Sequence, residues 1–217
     1  AQWGQTWERM MLIKARCVAG DAGLAAEFLE MVQPFRYPRS LGEGARREIA
    51  AMKSRLESDV VRAGELDRDV KRGRGGIREI EFVVQTAQLL NAGRIPFLQG
   101  AQTLPLLQKL AEYRLLTDAE ARSLAEAYCF LRAVEHRLQM ENNLQTHTIP
   151  AEAKSRAWLA AVMGLATPAD FEAELKRHTQ FVRATYEKFL KVEEAGPPAP
   201  YPRQFQGAEA EWKTILA

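Results

Sequence analysis

Apolar positions recur at three- and four-residue spacing along most of the chain, and strand-like alternation is absent. That period predicts a helix over residues 7–18, closed by Gly20, and a second over 21–32 that stops at Pro34. Phe35-Arg36-Tyr37-Pro38 follows as an aromatic, proline-broken stretch. A third helix is predicted from about Glu43 to Ala63, rich in Ala, Arg, Lys and Glu and polar enough for the surface. Residues 67–76, Asp-Arg-Asp-Val-Lys-Arg-Gly-Arg-Gly-Gly, are charged and glycine-rich and read as a loop. A helix over 77–91 comes next, ended by Gly93. Another lies within 104–116, with Pro105 in the first turn, where a missing N–H costs little.

The last third is marked by caps. Thr117-Asp118-Ala119-Glu120 is a capping box and opens a long helix to about Asn142. A shorter helix spans 151–163. Thr167-Pro168-Ala169-Asp170 caps a final one to about Val192, with Phe171, Leu175, His178, Val182, Tyr186 and Phe189 on one stripe. Gly196-Pro197-Pro198-Ala199-Pro200-Tyr201-Pro202 reads as a semi-rigid linker. No internal repeat or heptad array is seen. Segments of two to four turns joined by short loops predict an all-α, up-and-down helical bundle. The chain divides into helices over 1–63, a bundle over 64–193, and a linker and tail over 194–217.

Composition narrows the classes. With 217 residues, 47% of them hydrophobic, a sizeable core can be buried. Thirty Lys and Arg against 28 Asp and Glu leave a net charge of +2, too balanced to argue for a nucleic-acid or membrane partner. No apolar run is long enough to span a bilayer, and no signal peptide is visible. The chain opens Ala1-Gln2-Trp3-Gly4 without Met, which suggests an excised or processed piece. Two cysteines, Cys17 and Cys129, far apart and within helical patterns, fit a reducing, cytoplasmic setting and read as core thiols rather than a bridge or reactive site. His136, His147 and His178 lack metal-ligand spacing, so no metal is expected.

Lys71-Arg72-Gly73-Arg74-Gly75-Gly76-Ile77-Arg78-Glu79-Ile80-Glu81-Phe82 carries the strongest local signal. Glycines ahead of a helix let backbone N–H groups converge, the helix start adds partial positive charge, and four basic side chains surround the point. Either Lys71, Arg72, Gly73, Gly75, Gly76 and Arg78 receive a phosphate, or the stretch is a basic surface loop. Asp67-Arg68-Asp69 before it reads as solvated loop rather than a metal pair. In the helix that follows, Ile77, Ile80, Val83, Val84 and Ala87 form one apolar face, with Phe82 and Leu89 nearly opposite. Arg78, Glu81, Gln85 and Gln88 make a narrow polar stripe between them, which predicts shielding from water. Arg132, Glu135 and Gln139 repeat the i, i+3, i+7 spacing of Arg78, Glu81 and Gln85. The two stripes could cross-pair, Arg78 with Glu135 and Arg132 with Glu81, or each could pair locally on a solvated face. Trp7 and Lys14 share a helix face, with Trp7 read as a core anchor or a nucleotide stacker.

These residues resemble a known family. Lys71-x-Gly-x-Gly-Gly-Ile-Arg-Glu-Ile-Glu-Phe82 followed by Gln85 is similar to the signature of glutamine synthetase adenylyltransferases, and a looser form marks the related nitrogen-signal-protein uridylyltransferases. The likeness extends to Trp7-Glu8-Arg9, Lys14-Ala15-Arg16, Phe130-Leu131-Arg132-x-x-Glu135-x-x-Leu138-Gln139 and Gln145-Thr146-x-Thr148-Ile149-Pro150, and covers about residues 7–193. Its wording resembles the N-terminal half of that family, which removes AMP from a glutamine synthetase tyrosine by phosphorolysis.

The resemblance implies a bundle of the nucleotidyltransferase substrate-binding type, preceded by helices that pack on a nucleotidyltransferase sheet. The family's Gly-Ser turn and catalytic aspartates are not found here, so the resemblance implies no catalytic residue in this chain and no turnover by it alone. Magnesium and ATP or ADP are implied for the parent enzyme and no cofactor for this chain. The implied partners are glutamine synthetase and a nitrogen signal protein. Lys71, Arg72, Arg78 and the Gly73 to Gly76 amides are expected to face the phosphate-handling cleft, Glu81, Gln85, Arg132, Glu135 and Gln139 to support it, and Trp7, Lys14 and Arg16 to lie on its side. The alternatives are a helical module that binds glutamine synthetase or the signal protein, and a scaffold without a ligand.

Overall fold

Caps and interruptions decide where each helix begins and ends. The computed structural model describes residues 5–39, 48–49, 51–52, 68–142 and 145–195. Seven α-helices and one 3₁₀ turn have both ends among the described residues, and no strand is present among these residues. The helices are α1 (Thr6–Ile13), α2 (Ala22–Arg36), α3 (Ile77–Asn91), α4 (Thr103–Glu112), α5 (Asp118–Asn142), α6 (Ala153–Val162) and α7 (Pro168–Ala195). The fold is all-α, as the periodicity predicts. Except for Glu48, Ile49, Ala51 and Met52, which are helical, the predicted helix over 43–63 lies outside the described residues, as does the proline-rich stretch from Gly196.

Three boundaries differ from the sequence reading. Helix α1 ends at Ile13 instead of Val18: Lys14 caps it, and its ammonium donates to the Ala101 carbonyl (2.9 Å) and the Thr103 hydroxyl (3.1 Å). Helix α2 runs through Pro34 to Arg36. Proline removes a single backbone bond near the end of that helix. The Arg9 guanidinium steadies the turn, donating to the Phe35 carbonyl (2.6 Å) and lying 4.2 Å over its ring. Helix α4 stops at Glu112 because Arg114 adopts a left-handed φ of 57°. The amides of Leu115 and Leu116 then return to the Leu110 carbonyl, a helix stop usually signalled by glycine. The Thr117–Glu120 box forms as read, with the Thr117 amide and hydroxyl both donating to Glu120.

Helices α3, α5 and α7 pack on one another; α4 lies on α3 and α5, and α6 on α5 and α7. Helix α1 sits against α3 and carries α2. The core takes Ile77, Ile80, Val83, Val84, Ala87 and Leu89 from α3, Leu124, Leu131 and Val134 from α5, and Phe171, Val182 and Tyr186 from α7. Phe82 meets Tyr186 edge to face at 5.8 Å between ring centroids. Both cysteines are exposed, which corrects the core-thiol reading: Cys17 follows the early stop of α1, and Cys129 falls on the outer side of α5. Among the described residues no helix is long and apolar enough to cross a membrane.

Candidate functional site

The glycine loop is built around Asp69. Its carboxylate accepts the amides of Lys71 (2.9 Å) and Arg72 (2.7 Å) and pairs with Arg72 Nε (2.9 Å), and the residue is buried. The reading of Asp69 as a solvated loop residue is therefore corrected. An Asp that bonds amides two and three residues ahead fixes a turn. Val70 donates to the His147 carbonyl and Ile149 to that of Arg68, which ties the loop to the segment after α5.

Most of the other amides are engaged within the loop and the start of α3. Gly73 bonds the Asp69 carbonyl, Gly76 that of Gly73, Ile77 that of Val70 and Arg78 that of Lys71, while the Gly75 amide donates to Glu79 (3.0 Å). An amide cradle for phosphate is therefore not formed by Gly73, Gly75 and Gly76. Their function is close packing. A Cβ on Gly75, where φ is +71°, would stand 2.0 Å from the Thr179 carbonyl of α7. One on Gly76 would meet three loop carbonyls at 2.8–2.9 Å. Glu79, having accepted Gly75, also pairs with Arg183 of α7 (2.7 Å) and locks the α3 start to that helix.

Glu135, almost fully buried on α5, gathers nitrogen-bearing side chains. Lys71 Nζ stands 3.3 Å away, His147 Nδ1 3.0 Å away, and Arg132 pairs with it from the preceding turn. Cross-pairing is thereby corrected: Arg132 bonds Glu135 on its own helix, and Glu81 accepts the Tyr128 hydroxyl at 3.3 Å. Lys71 ties the loop to α5, and the Tyr128 hydroxyl gives α5 a polar link to α3. Arg132 also faces His136, with 3.3 Å between nitrogens.

The polar stripe of α3 grades from exposed Arg78 through half-buried Glu81 and Gln85 to fully buried Gln88. Gln88 donates to the carbonyls of Leu98 and Gly100. At the open end, Arg78, Glu81, Phe82 and Gln85 form one wall of a concavity of about 370 Å³, faced by Trp7, Met10, Met11 and Met52. Trp7 is 49% exposed, which corrects its reading as a core anchor. Lys14 lies behind this wall. Burial holds its ammonium below the ordinary lysine value, and Glu81 acts in the opposite direction. Burial likewise pushes the Tyr128 phenol up.

Arg78, Glu81, Gln85 and Trp7 are thus brought together, and Lys14 lies near enough for the Glu81 charge to act on it. Arg16 is exposed beyond the end of α1, and Gln139 lies half-buried a turn past Glu135, outside the concavity. Sequence reasoning missed Asp69, Tyr128, His147 and the methionine wall. The first had a legible signal in its spacing from Lys71 and Arg72, whereas the others are joined only by tertiary packing. Among the described residues no group of three or more His, Cys, Asp or Glu could hold a metal ion.

Comparison with known proteins bears on this arrangement. The family model described as GlnD PII-uridylyltransferase matches residues 46–190. The chain is similar to proteins called bifunctional glutamine synthetase adenylyltransferase/adenylyl-removing enzyme in several bacteria. It is 41% identical to that of Xanthobacter autotrophicus over 200 residues, 90% of this chain and 20% of the relative. It is 40% identical to that of Thioalkalivibrio sulfidiphilus over 214 residues (99% and 21%) and 42% identical to that of Caulobacter vibrioides over 194 (88% and 20%). The chain spans about one fifth of the length of these curated relatives.

Proposed function

Because the chain belongs to the GlnD PII-uridylyltransferase family, we propose that it is the helical part of an enzyme that removes adenylyl groups from glutamine synthetase. The observation that carries this reading is the concavity on α3, where the exposed guanidinium of Arg78 stands beside Glu81, Gln85 and the Trp7 and methionine wall. The Arg78 guanidinium has no hydrogen-bond or ion-pair partner among the described residues, although the neighbouring loop cations Lys71 and Arg72 are both paired. A free cation on a wall of aromatic and thioether side chains suits a nucleotide phosphate arriving from a neighbouring domain. Charge placed in advance where an oxyanion develops stabilises the transition state.

In this reading residues 64–193 complete the cleft. Residues 1–63 belong with the nucleotidyltransferase domain, and residues 194–217 serve as a proline-rich linker and tail. Met11, Leu24, Phe28 and Met31 are exposed on α1 and α2 and would meet that domain. The carboxylates that hold magnesium, and the metal that would activate the phosphate, belong to the domain and not to the described residues, so no step is assigned to a metal here. Arg78 neutralises phosphate charge, while Trp7, Met10 and Met11 exclude water. Glu81 holds Tyr128 and thereby the spacing between α3 and α5. The enzyme would work in the cytoplasm on glutamine synthetase under control of a nitrogen signal protein.

The test is Arg78→Ala in the complete enzyme that carries this segment. Adenylyl removal is expected to fall about a hundredfold, in the range lost with one oxyanion-stabilising group, with the melting temperature unchanged. Parallel losses of stability and activity would overturn the reading, as would adenylyl removal catalysed by the 217-residue chain alone.

A further inference from the structure

A second concavity opens on the other side of the glycine loop, between the loop and helices α6 and α7. It encloses about 410 Å³ and shares no lining residue with the one beside Arg78. Arg68 and Arg74 reach it from the loop, Arg156 from α6 and Lys176 from α7, around a floor that includes Phe171 and Leu175. Two carboxylates also line it, and both are engaged. Asp69 holds Arg72 and two loop amides, and Glu172 pairs with Arg156. Arg156 is further fixed by donating to the Pro150 carbonyl at 2.9 Å.

The other three cations are uncompensated. Arg68 has only a long contact to the Ile149 carbonyl, 3.4 Å, and the charged ends of Arg74 and Lys176 have no partner among the described residues. Like charges arranged around one hollow repel each other until an anion enters. We infer that this pocket binds a small phosphate monoester.

Two features select that class. Three unpaired cations match the charge of a phosphate monoester, about −1.5 to −2 near neutrality, better than a single carboxylate. The volume exceeds what phosphate alone requires and falls in the range of small-molecule sites, which leaves room for an organic group on the Phe171 and Leu175 floor. The close approach of Gly75 to Thr179 places the loop against α7, so Arg74 and Lys176 border the same opening. This inference stands apart from the reading of the Arg78 face.

Calorimetric titration of the 217-residue chain with phenyl phosphate, inorganic phosphate and benzoate tests it. Phenyl phosphate is expected to bind at least about tenfold more tightly than either of the others, since each lacks the charge or the apolar body. Arg74→Ala with Lys176→Ala, both exposed and remote from the core, is expected to raise the Kd of phenyl phosphate about tenfold or more. Arg78→Ala should leave that Kd unchanged. Equal binding of the three probes, no binding of phenyl phosphate, indifference to the double substitution, or loss with Arg78→Ala would each overturn the proposal.

Discussion

Helices α2 and α3 have the same length, 15 residues, and both place apolar side chains along one side. Their situations are opposite. Helix α3 buries nine residues, and helix α2 buries none. Leu24, Phe28 and Met31, three or four positions apart, are 68%, 44% and 70% exposed. Ile80, Val83 and Val84 on α3 are wholly enclosed, and that helix packs on α1, α4, α5 and α7. Amphipathic pattern states that a face wants cover, and only packing states whether it has any. Surface of the α2 kind is a recognised mark of an interaction site.

That contrast can be broken at several points. The largest loss is expected for Gly75→Ala, which sets a Cβ against the Thr179 carbonyl at a left-handed backbone position. Urea unfolding should show about 3 kcal/mol or more of destabilisation. A cost below about 1 kcal/mol would mean that the loop does not pin α3 to α7. Ile80→Ala follows, with about 3 kcal/mol expected from lost burial and the cavity left behind.

A smaller effect comes from His178, buried on α7 and stacked on Phe130 at 4.7 Å. Burial, aided by the Arg177 charge, holds its pKa below the ordinary value, although Glu174 opposes this. Between the folded and unfolded pKa values only the unfolded chain takes up the proton. Stability should therefore decline as pH falls below about 6.5, and His178→Gln should flatten that part of the profile. A wild-type stability that is level from pH 7 to 5 would contradict the assignment. The smallest change is expected for Phe28→Ser on α2, within about 0.5 kcal/mol in this chain. A loss comparable to that of Ile80→Ala would show that α2 is covered after all.

Much of the architecture was legible before any coordinates. The limits of α3, the Thr117 capping box and the α7 stripe with buried Phe171, His178, Val182, Tyr186 and Phe189 follow from spacing and cap chemistry. The site was legible only in part. Arg78, Glu81 and Gln85 share a helix, so their common face follows from helical geometry, but the Trp7 and methionine wall opposite them is a contact between helices. Glycines ahead of a helix can present amides to a phosphate or simply form a basic surface loop, and spacing alone does not choose between them. Gly75 is required because the α7 backbone passes too close for a side chain.

Sequence alone therefore determined the helical class, most helix limits and the basic character of the loop, since these depend on neighbours within a turn or two. Tertiary structure decided which charges are spent and which are free. Lys71 turns to Glu135, Arg72 to Asp69 and Arg132 to Glu135, and the charged ends of Arg78, Arg74 and Lys176 have no partner among the described residues. The physical reason is reach: Arg72 and Arg132 settle on carboxylates three residues away, whereas Lys71 meets Glu135 only because the fold brings α5 to the loop.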